Sequence, residues 1–343
     1  MRLREALPDE IERWLGDAGE PRYRALQIFR GLQARGLEPA GLTDVGKTLR
    51  ARLAAEAGPP AGEVAEVHHS VDGTTKLVIA FADGAMVETV LMGTTIPGRM
   101  SQCISTQVGC AMGCVFCHSG IAGLKRNLTA SEILAQIHLA RVHVPEGEQV
   151  TNVVLMGMGE PLHNYEAVRR AIQIMTHPDG LGLSTRRVTL STVGLVRGLE
   201  ALGRDFSGQI ALAVSLHAGD DAVRSRLVPV NRRHDLESVV AALRAYPLPA
   251  RRRITIEYTL ISGENDDLGQ ARKLARLLRG MAVKVNLIPM NQHGASPHEA
   301  PPPETVEAFR DVLVRAGLSV FVRHRRGADI AAACGQLALR PST

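Results

Sequence analysis

The stretch Gly109-Cys110-Ala-Met-Gly-Cys114-Val-Phe-Cys117-His118 constrains this chain more than any other. Three thiolates in a Cys-x3-Cys-x2-Cys spacing can hold three irons of a cubane [4Fe–4S] cluster and leave the fourth iron open to another ligand. Bacterial ferredoxins use a different spacing and supply a fourth cysteine to each cubane. Here no cysteine follows the loop until Cys334. Structural zinc is the competing reading, with Cys103 or His118 as a fourth ligand. Zinc spacing usually waits a dozen residues or more between ligand pairs, whereas these candidates crowd into one short loop. Reduced core cysteines are the third reading.

The length of 343 residues suits one large domain plus a smaller one. Aromatic residues make up only 3%, so the core must be mostly Leu, Val, Ile and Ala. No run of 18 apolar residues exists, and the charged N-terminus lacks an apolar segment, so neither a transmembrane helix nor a signal peptide is expected. Five unevenly spaced cysteines suit a reducing cytosol. A net charge of +5 permits a nucleic-acid partner without requiring one. The dense basic runs are Arg251-Arg252-Arg253 and Arg323-His324-Arg325-Arg326, each readable as a solvated strand end or a phosphate contact.

Residues 1–57 read as short amphipathic helices over Pro8–Leu15, Arg22–Leu32 and Leu42–Ala54: a small helical domain, either scaffold or RNA-docking surface. After a Gly-Pro-Pro linker, residues 63–98 alternate as short strands, with Glu88 on the last of them, readable as a solvent-face residue. Over residues 99–340 strands (101–106, 151–156, 187–192, 210–216, 253–261, 282–289, 319–323) alternate with helices (130–142, 165–175, 236–245, 267–279, 303–316). Repeated strand–helix units imply parallel strands with right-handed crossovers, hence an α/β barrel or an open sheet. The candidate groups Gly157-Met-Gly159-Glu160-Pro161, Ser191-Thr192, Ser215-Leu-His217 and Pro289-Met-Asn291 fall at strand carboxyl ends, where α/β barrels keep their chemistry. Each is also readable as an ordinary turn or solvent face. Cys103 and Cys334 read by default as small buried apolar residues.

Taken together, Cys103-Ile-Ser-Thr-Gln-Val-Gly-Cys110, Gly157-Met-Gly-Glu-Pro, Arg187-Val-Thr-Leu-Ser-Thr, Ser215-Leu-His-Ala, Asn286-Leu-Ile-Pro and Ala332-Ala-Cys334-Gly-Gln-Leu resemble the RlmN/Cfr family of radical S-adenosylmethionine (SAM) methyltransferases, which modify adenosine in RNA. The resemblance runs from about residue 84 to Leu339 and is weaker before it. It implies a radical SAM partial (β/α) barrel, with a small N-terminal helical domain and a short β extension. It also implies a [4Fe–4S] cluster on Cys110, Cys114 and Cys117, and SAM contacts at Gly159, Glu160, Ser191, Ser215, His217 and Asn291. Cys334 matches the cysteine that is methylated, Cys103 the partner that resolves the protein–RNA adduct and leaves a Cys103–Cys334 disulfide, and Glu88 the proton acceptor.

The implied substrate is an adenosine of 23S rRNA, and in one branch of tRNA also, with an external electron donor such as flavodoxin or ferredoxin and a monomer as the default. Gly159-Glu160-Pro161 and Arg326-Gly-Ala-Asp329 favour the branch that methylates C2 of adenine. His118-Ser119-Gly120 and Gly123–Leu128 resemble the C8 branch, which is the alternative. Another radical SAM enzyme, or a noncatalytic zinc-stabilised RNA-binding protein, are the remaining readings.

Overall fold

The structure is a computed structural model describing residues 2–323 and 325–338. His324 of the basic run and the end of the expected barrel, from Leu339 onward, lie outside them. Three helices come first. In α1 (Pro8–Asp17), proline occupies the first turn and Glu10 Oε2 accepts the Leu7 N–H (2.8 Å), so helix-start donors are either absent or paired. Next, α2 (Arg24–Phe29) widens into a π-helical turn over Arg30–Ala34, and α3 spans Lys47–Ala57. The helix expected from Leu42 therefore begins later. Leu42 and Val45 are already buried in the preceding loop, where Arg35 ties down Asp44 (3.0 Å).

Strands then take over: β1 (Glu63–His69), β2 (Thr75–Ala80), β3 (Met86–Gly93), β4 (Arg99–Cys103) and β5 (Gln107–Gly109). They lead to α4 (His118–Ala122), β6 (Leu124–Asn127) and α5 (Ala130–Ala140). Regular alternation follows: β7 (Gln149–Leu155), α6 (Tyr165–Thr176), β8 (Val188–Thr192), α7 (Val196–Phe206), β9 (Ala211–Ser215), α8 (Asp221–Leu227) and α9 (Leu236–Ala245). The chain closes with β10 (Ile254–Leu260), α10 (Leu268–Leu277), β11 (Val283–Pro289), α11 (Pro303–Arg315) and β12 (Ser319–Val322).

All but β5 and β6 belong to one sheet in the order β1-β2-β3-β4-β7-β8-β9-β10-β11-β12. Pairs from β1 to β4 are antiparallel, and pairs from β4 to β12 are parallel. Among the described residues the order is linear, with β1 and β12 as edges, so the α/β unit is a partial barrel. The β extension is continuous with it: Val90 of β3 sits opposite Cys103 of β4. Along β10 side chains alternate, with Ile256, Tyr258 and Leu260 turned to the helices, where Tyr258 meets Phe309 of α11 at 5.1 Å. The intervening residues face the barrel lumen.

Periodicity alone does not reveal α7 or α8. Glycine weakens α7 as an isolated helix, but Gly198 lets it approach Leu162 closely while Leu199 and Leu202 are buried. One apolar core runs from Leu3, Ile11 and Phe29 through Ile133 and Ile256 to Leu313, so the N-terminal helices pack on the barrel helices. Arg170 of α6 reinforces this contact by pairing with Glu10 of α1 (2.7 Å). Among the described residues no helix is long and apolar enough to cross a membrane.

Removing the fully buried Phe309 ring by Phe309→Ala is expected to lower stability by about 3–5 kcal/mol. Phe321→Ala, at an exposed ring, is expected to change it by less than about 0.5 kcal/mol; urea denaturation of both variants checks the contrast.

Candidate active site

The three candidate cluster cysteines share the loop between β5 and α4, with Cys114 buried and Cys110 and Cys117 half-buried. Gly109 enters the loop with φ +77°, and a Cβ there would strike the Gly123 carbonyl oxygen. Glycine alone lets the loop's two ends meet, as Cys110 N–H donates to Gly123 O (3.2 Å). Support comes from below and beside: Val115 N–H donates to Leu227 O (3.1 Å), Ser296 Oγ to Val115 O (3.1 Å) and His118 N–H to Gly335 O (2.8 Å). Met112, Phe116, Val193, Val228 and Met290 gather around the sulfurs as a second apolar cluster.

Burial pushes all three thiols above their ordinary pKa, Cys110 to about 12, and neighbouring thiols push Cys110 and Cys114 further. Such groups become thiolates when a metal displaces their protons. Among the described residues no three His, Cys, Asp or Glu side chains gather around a single point as one zinc ion requires. A cubane offers a separate iron to each cysteine, so three soft donors spread along one dry loop fit it better.

The remaining candidates surround that loop at strand carboxyl ends. Glu160 is buried just after β7, its Oε1 accepting from Leu162 N–H (3.0 Å) and its Oε2 from Val193 N–H (2.9 Å). Burial pushes its pKa up to about 7 against these hydrogen bonds, so a cation placed beside it would be bound strongly. Gly159 precedes it with φ +104°. Ser191 and Ser215 are half-buried near the ends of β8 and β9. The His217 ring is buried edge-on to Phe116 (4.9 Å), and its Nδ1 accepts from Thr259 N–H (2.9 Å). That bond assigns the proton to Nε2, and burial depresses the ring's pKa to about 3, leaving a neutral donor. Asn291 donates to Cys334 O (3.0 Å), while its buried Oδ1 has no partner among the described residues. This orphaned acceptor and the Glu160 carboxylate are two acceptors suited to the donor groups of a bound ligand.

Cys334 lies on a segment, 325–338, that crosses the barrel mouth. Cys334 keeps an exposed surface, yet it lies deep among protein atoms, and burial raises its thiol pKa, with Glu257 and Cys117 adding to the effect. Cys103 is buried on β4; burial raises its pKa and nearby Cys334 raises it more. Cys334 thus stands near both the cluster loop and Cys103. All five cysteines are free, so the Cys103–Cys334 disulfide that the resemblance implies is not formed here. Glu88 is no solvent-face residue: it is buried, pairs with Lys76 (3.0 Å), and accepts from Ala338 N–H (2.8 Å).

The basic runs divide. Arg251–Arg253 precede the amino end of β10, opposite the candidate site, and Arg252 and Arg253 bond Gln209 O (3.0 Å) and Ser319 Oγ (2.8 Å). Arg325 and Arg326 instead fasten the crossing segment, donating to Met290 O (2.9 Å) and Gly93 O (2.8 Å).

Sequence reasoning missed Lys76 and Arg224. Arg224 is wholly buried on α8 and donates to the carbonyls of Leu216 (3.0 Å), His234 (3.0 Å), Ser215 (3.3 Å) and Val193, and to Asn231 Oδ1 (2.7 Å). An arginine beside Val223 and Leu227, both buried, was the available signal. Burial lowers its pKa to about 10, which still leaves it charged at neutral pH.

Arg224→Met strands these buried acceptors and is expected to cost about 3 kcal/mol or more, measured by urea denaturation. Glu160 gives a pH prediction. Its folded pKa stands above the ordinary value of about 4.5, so the ligand-free protein is expected to lose stability as pH rises from about 4.5 to about 7. Glu160→Gln should flatten that slope, as read from thermal melts across this range.

A family model described as the radical SAM superfamily matches residues 104–275. A relative from Sorangium cellulosum, named dual-specificity RNA methyltransferase RlmN, is 53% identical over 369 aligned positions, covering 97% of this chain and 94% of that one. One of the same name from Syntrophus aciditrophicus is 43% identical, covering 98% and 96%. The crystal structure of a radical SAM methyltransferase from Sphaerobacter thermophilus superposes with a TM-score of 0.92 at 44% identity, covering 98% of this chain and 99% of that one. With that identity sustained across nearly its full length, the chain belongs to the RlmN/Cfr family of radical SAM RNA methyltransferases, with the family's SAM and [4Fe–4S] cofactors.

Proposed function

We propose that the protein transfers a methyl group by way of Cys334 to C2 of an adenosine in 23S rRNA and in tRNA. The observation that carries this reading is the position of Cys334, on a segment over the barrel mouth between the cysteine loop and Cys103. A radical SAM enzyme acting directly on its substrate has no use for that pair of thiols.

Cys110, Cys114 and Cys117 would hold the cluster, which supplies an electron to cleave SAM. The Glu160 carboxylate would accept from the SAM amino group, while His217 Nε2–H and Asn291 Oδ1 would offer one donor and one acceptor to the rest of the molecule. Cys334 needs thiolate character to accept a methyl group. Burial opposes this, and the positive charge of Arg323 favours it. Glu88, ion-paired with Lys76, takes the proton from the methylated base carbon. Cys103 then attacks the sulfur of the adduct, the C–S bond breaks, the released methylene takes a proton to become the methyl group, and the disulfide left behind must be reopened by an external reductant.

The target adenine must leave its stack to reach this interior, as in other base-modifying enzymes. RNA shape and phosphate contacts supply the address. The helical domain of residues 1–57 is the proposed docking surface, residues 63–98 anchor the segment bearing Cys334, and residues 99–340 form the catalytic barrel. An external electron donor of the flavodoxin or ferredoxin type completes the cycle, with the enzyme acting as a monomer.

Anaerobic reaction of reconstituted protein with SAM, reductant and unmodified 23S rRNA or tRNA is expected to give 2-methyladenosine by nucleoside mass spectrometry. A product of 8-methyladenosine would move the protein to the other branch. Cys334→Ala should yield no methylated base, and Cys103→Ala should accumulate a covalent protein–RNA species on denaturing gels. Turnover by Cys334→Ala would overturn the relay.

A further inference from the structure

Three polar side chains form a row across adjacent strands of the lumen. Parallel register sets Glu257 of β10 opposite Ser215 of β9 on one side and Asn286 of β11 on the other. Residues level with one another on paired strands share a face. Tyr258, the next residue along, points the other way onto Phe309. Ser215, Glu257 and Asn286 therefore face the lumen at one height, immediately below His217.

Glu257 is buried, and among the described residues its carboxylate accepts one hydrogen bond, from Asn286 Nδ2 (3.0 Å). No ion pair neutralises it among the described residues; Lys284 and Arg323 act on it only at longer range. A carboxylate has about four lone-pair positions, so most of its accepting capacity is unfilled. Buried acids without such partners are uncommon as packing elements. After burial, Glu257 is also the largest influence on the Cys334 thiol, which places it close to the relay.

We propose that Glu257, oriented by Asn286, binds the ribose hydroxyls of SAM within the lumen. This inference rests on the reading of Ser215 and its neighbours as the SAM site. Two carboxylate oxygens match two adjacent O–H donors, as acidic residues do on nucleotide riboses. The Asn286 amide occupies one lone pair and fixes the carboxylate plane, leaving the second lone pair of that oxygen and the whole of the other oxygen to the ligand. The Ser215 hydroxyl, alongside in register, adds a donor or acceptor to the same diol.

The test is anaerobic calorimetric titration of cluster-loaded protein with SAM and with its 2′-deoxyribose analogue. The native protein is expected to bind SAM about 10-fold more tightly than the analogue, since a hydroxyl-to-carboxylate bond is charge-assisted. Glu257→Gln should lose most of that preference while holding the analogue within about twofold. Asn286→Ala should lose part of it. A Glu257→Gln protein that weakens both ligands by one factor assigns the residue to structure and overturns the proposal. So does one that binds SAM normally but modifies RNA poorly, which would assign the carboxylate to the target base. If the native protein binds SAM without discriminating the analogue, the Glu257 role alone falls. If it binds neither, the SAM reading falls with it. Thermal melts of both variants establish that the compared proteins are folded.

Discussion

Arg224 is the constraint on which the mouth of the barrel depends. Its guanidinium has a rigid fork of donors, and every one that the structure pairs goes to a chain segment that forms the site: the carbonyls after β8, at the end of β9 and before α9, and the Asn231 side chain. The helix that carries it also receives the cysteine loop, through Val115 N–H to Leu227 O. Val193 and Leu216 lie just beyond the paired stretches of β8 and β9, so a buried cation bonded to their carbonyls fixes the chain where it leaves the sheet. The cost of desolvating it is offset because each acceptor it meets would otherwise be buried and unpaired.

A second polar arrangement stands opposite. Gln136 of α5 exchanges hydrogen bonds with Ser105 through both its amide atoms, and Gln102 reaches Thr89 and the Gln136 carbonyl. Thr89 Oγ1 in turn donates to Cys103 O (2.7 Å). The thiol proposed to resolve the adduct thus sits on backbone fixed by a closed network, whereas Cys334 sits on a segment held by scattered bonds.

The order of strands and helices in the barrel was legible because parallel, two-sided strands read as short apolar runs separated by amphipathic helices. Ser215-Leu-His217 and the Gly159-Glu160 turn were legible as strand ends for the same reason. The burial of Glu88 was not, since a lone acid on a half-apolar strand looks solvent-facing until Lys76, on the neighbouring strand, is seen beside it. Arg224 and Glu257 stayed hidden likewise: what satisfies or strands a buried polar group is its tertiary surroundings, which a single sequence does not display. The arginine run before β10 stayed open between solvated strand end and phosphate contact, because charge density along the chain carries no information about which end of a strand faces the site.

The crossing segment joins parts of the chain that are far apart in sequence. Ala338 bonds Glu88 across 250 residues, and Asp329 accepts from Ser70 Oγ (2.6 Å) across 259. Contacts this distant require the intervening chain to be in place before they return any energy. Docking of the Cys334 segment therefore needs both the early β hairpin and the late barrel strands in place. The segment's buried apolar anchors are Ala332, Ala333 and Leu337, and hydrogen bonds to Glu88, Asp72 and Gly93 fasten it beside them. The Cys334 thiol accordingly takes its place only when two remote parts of the chain have met.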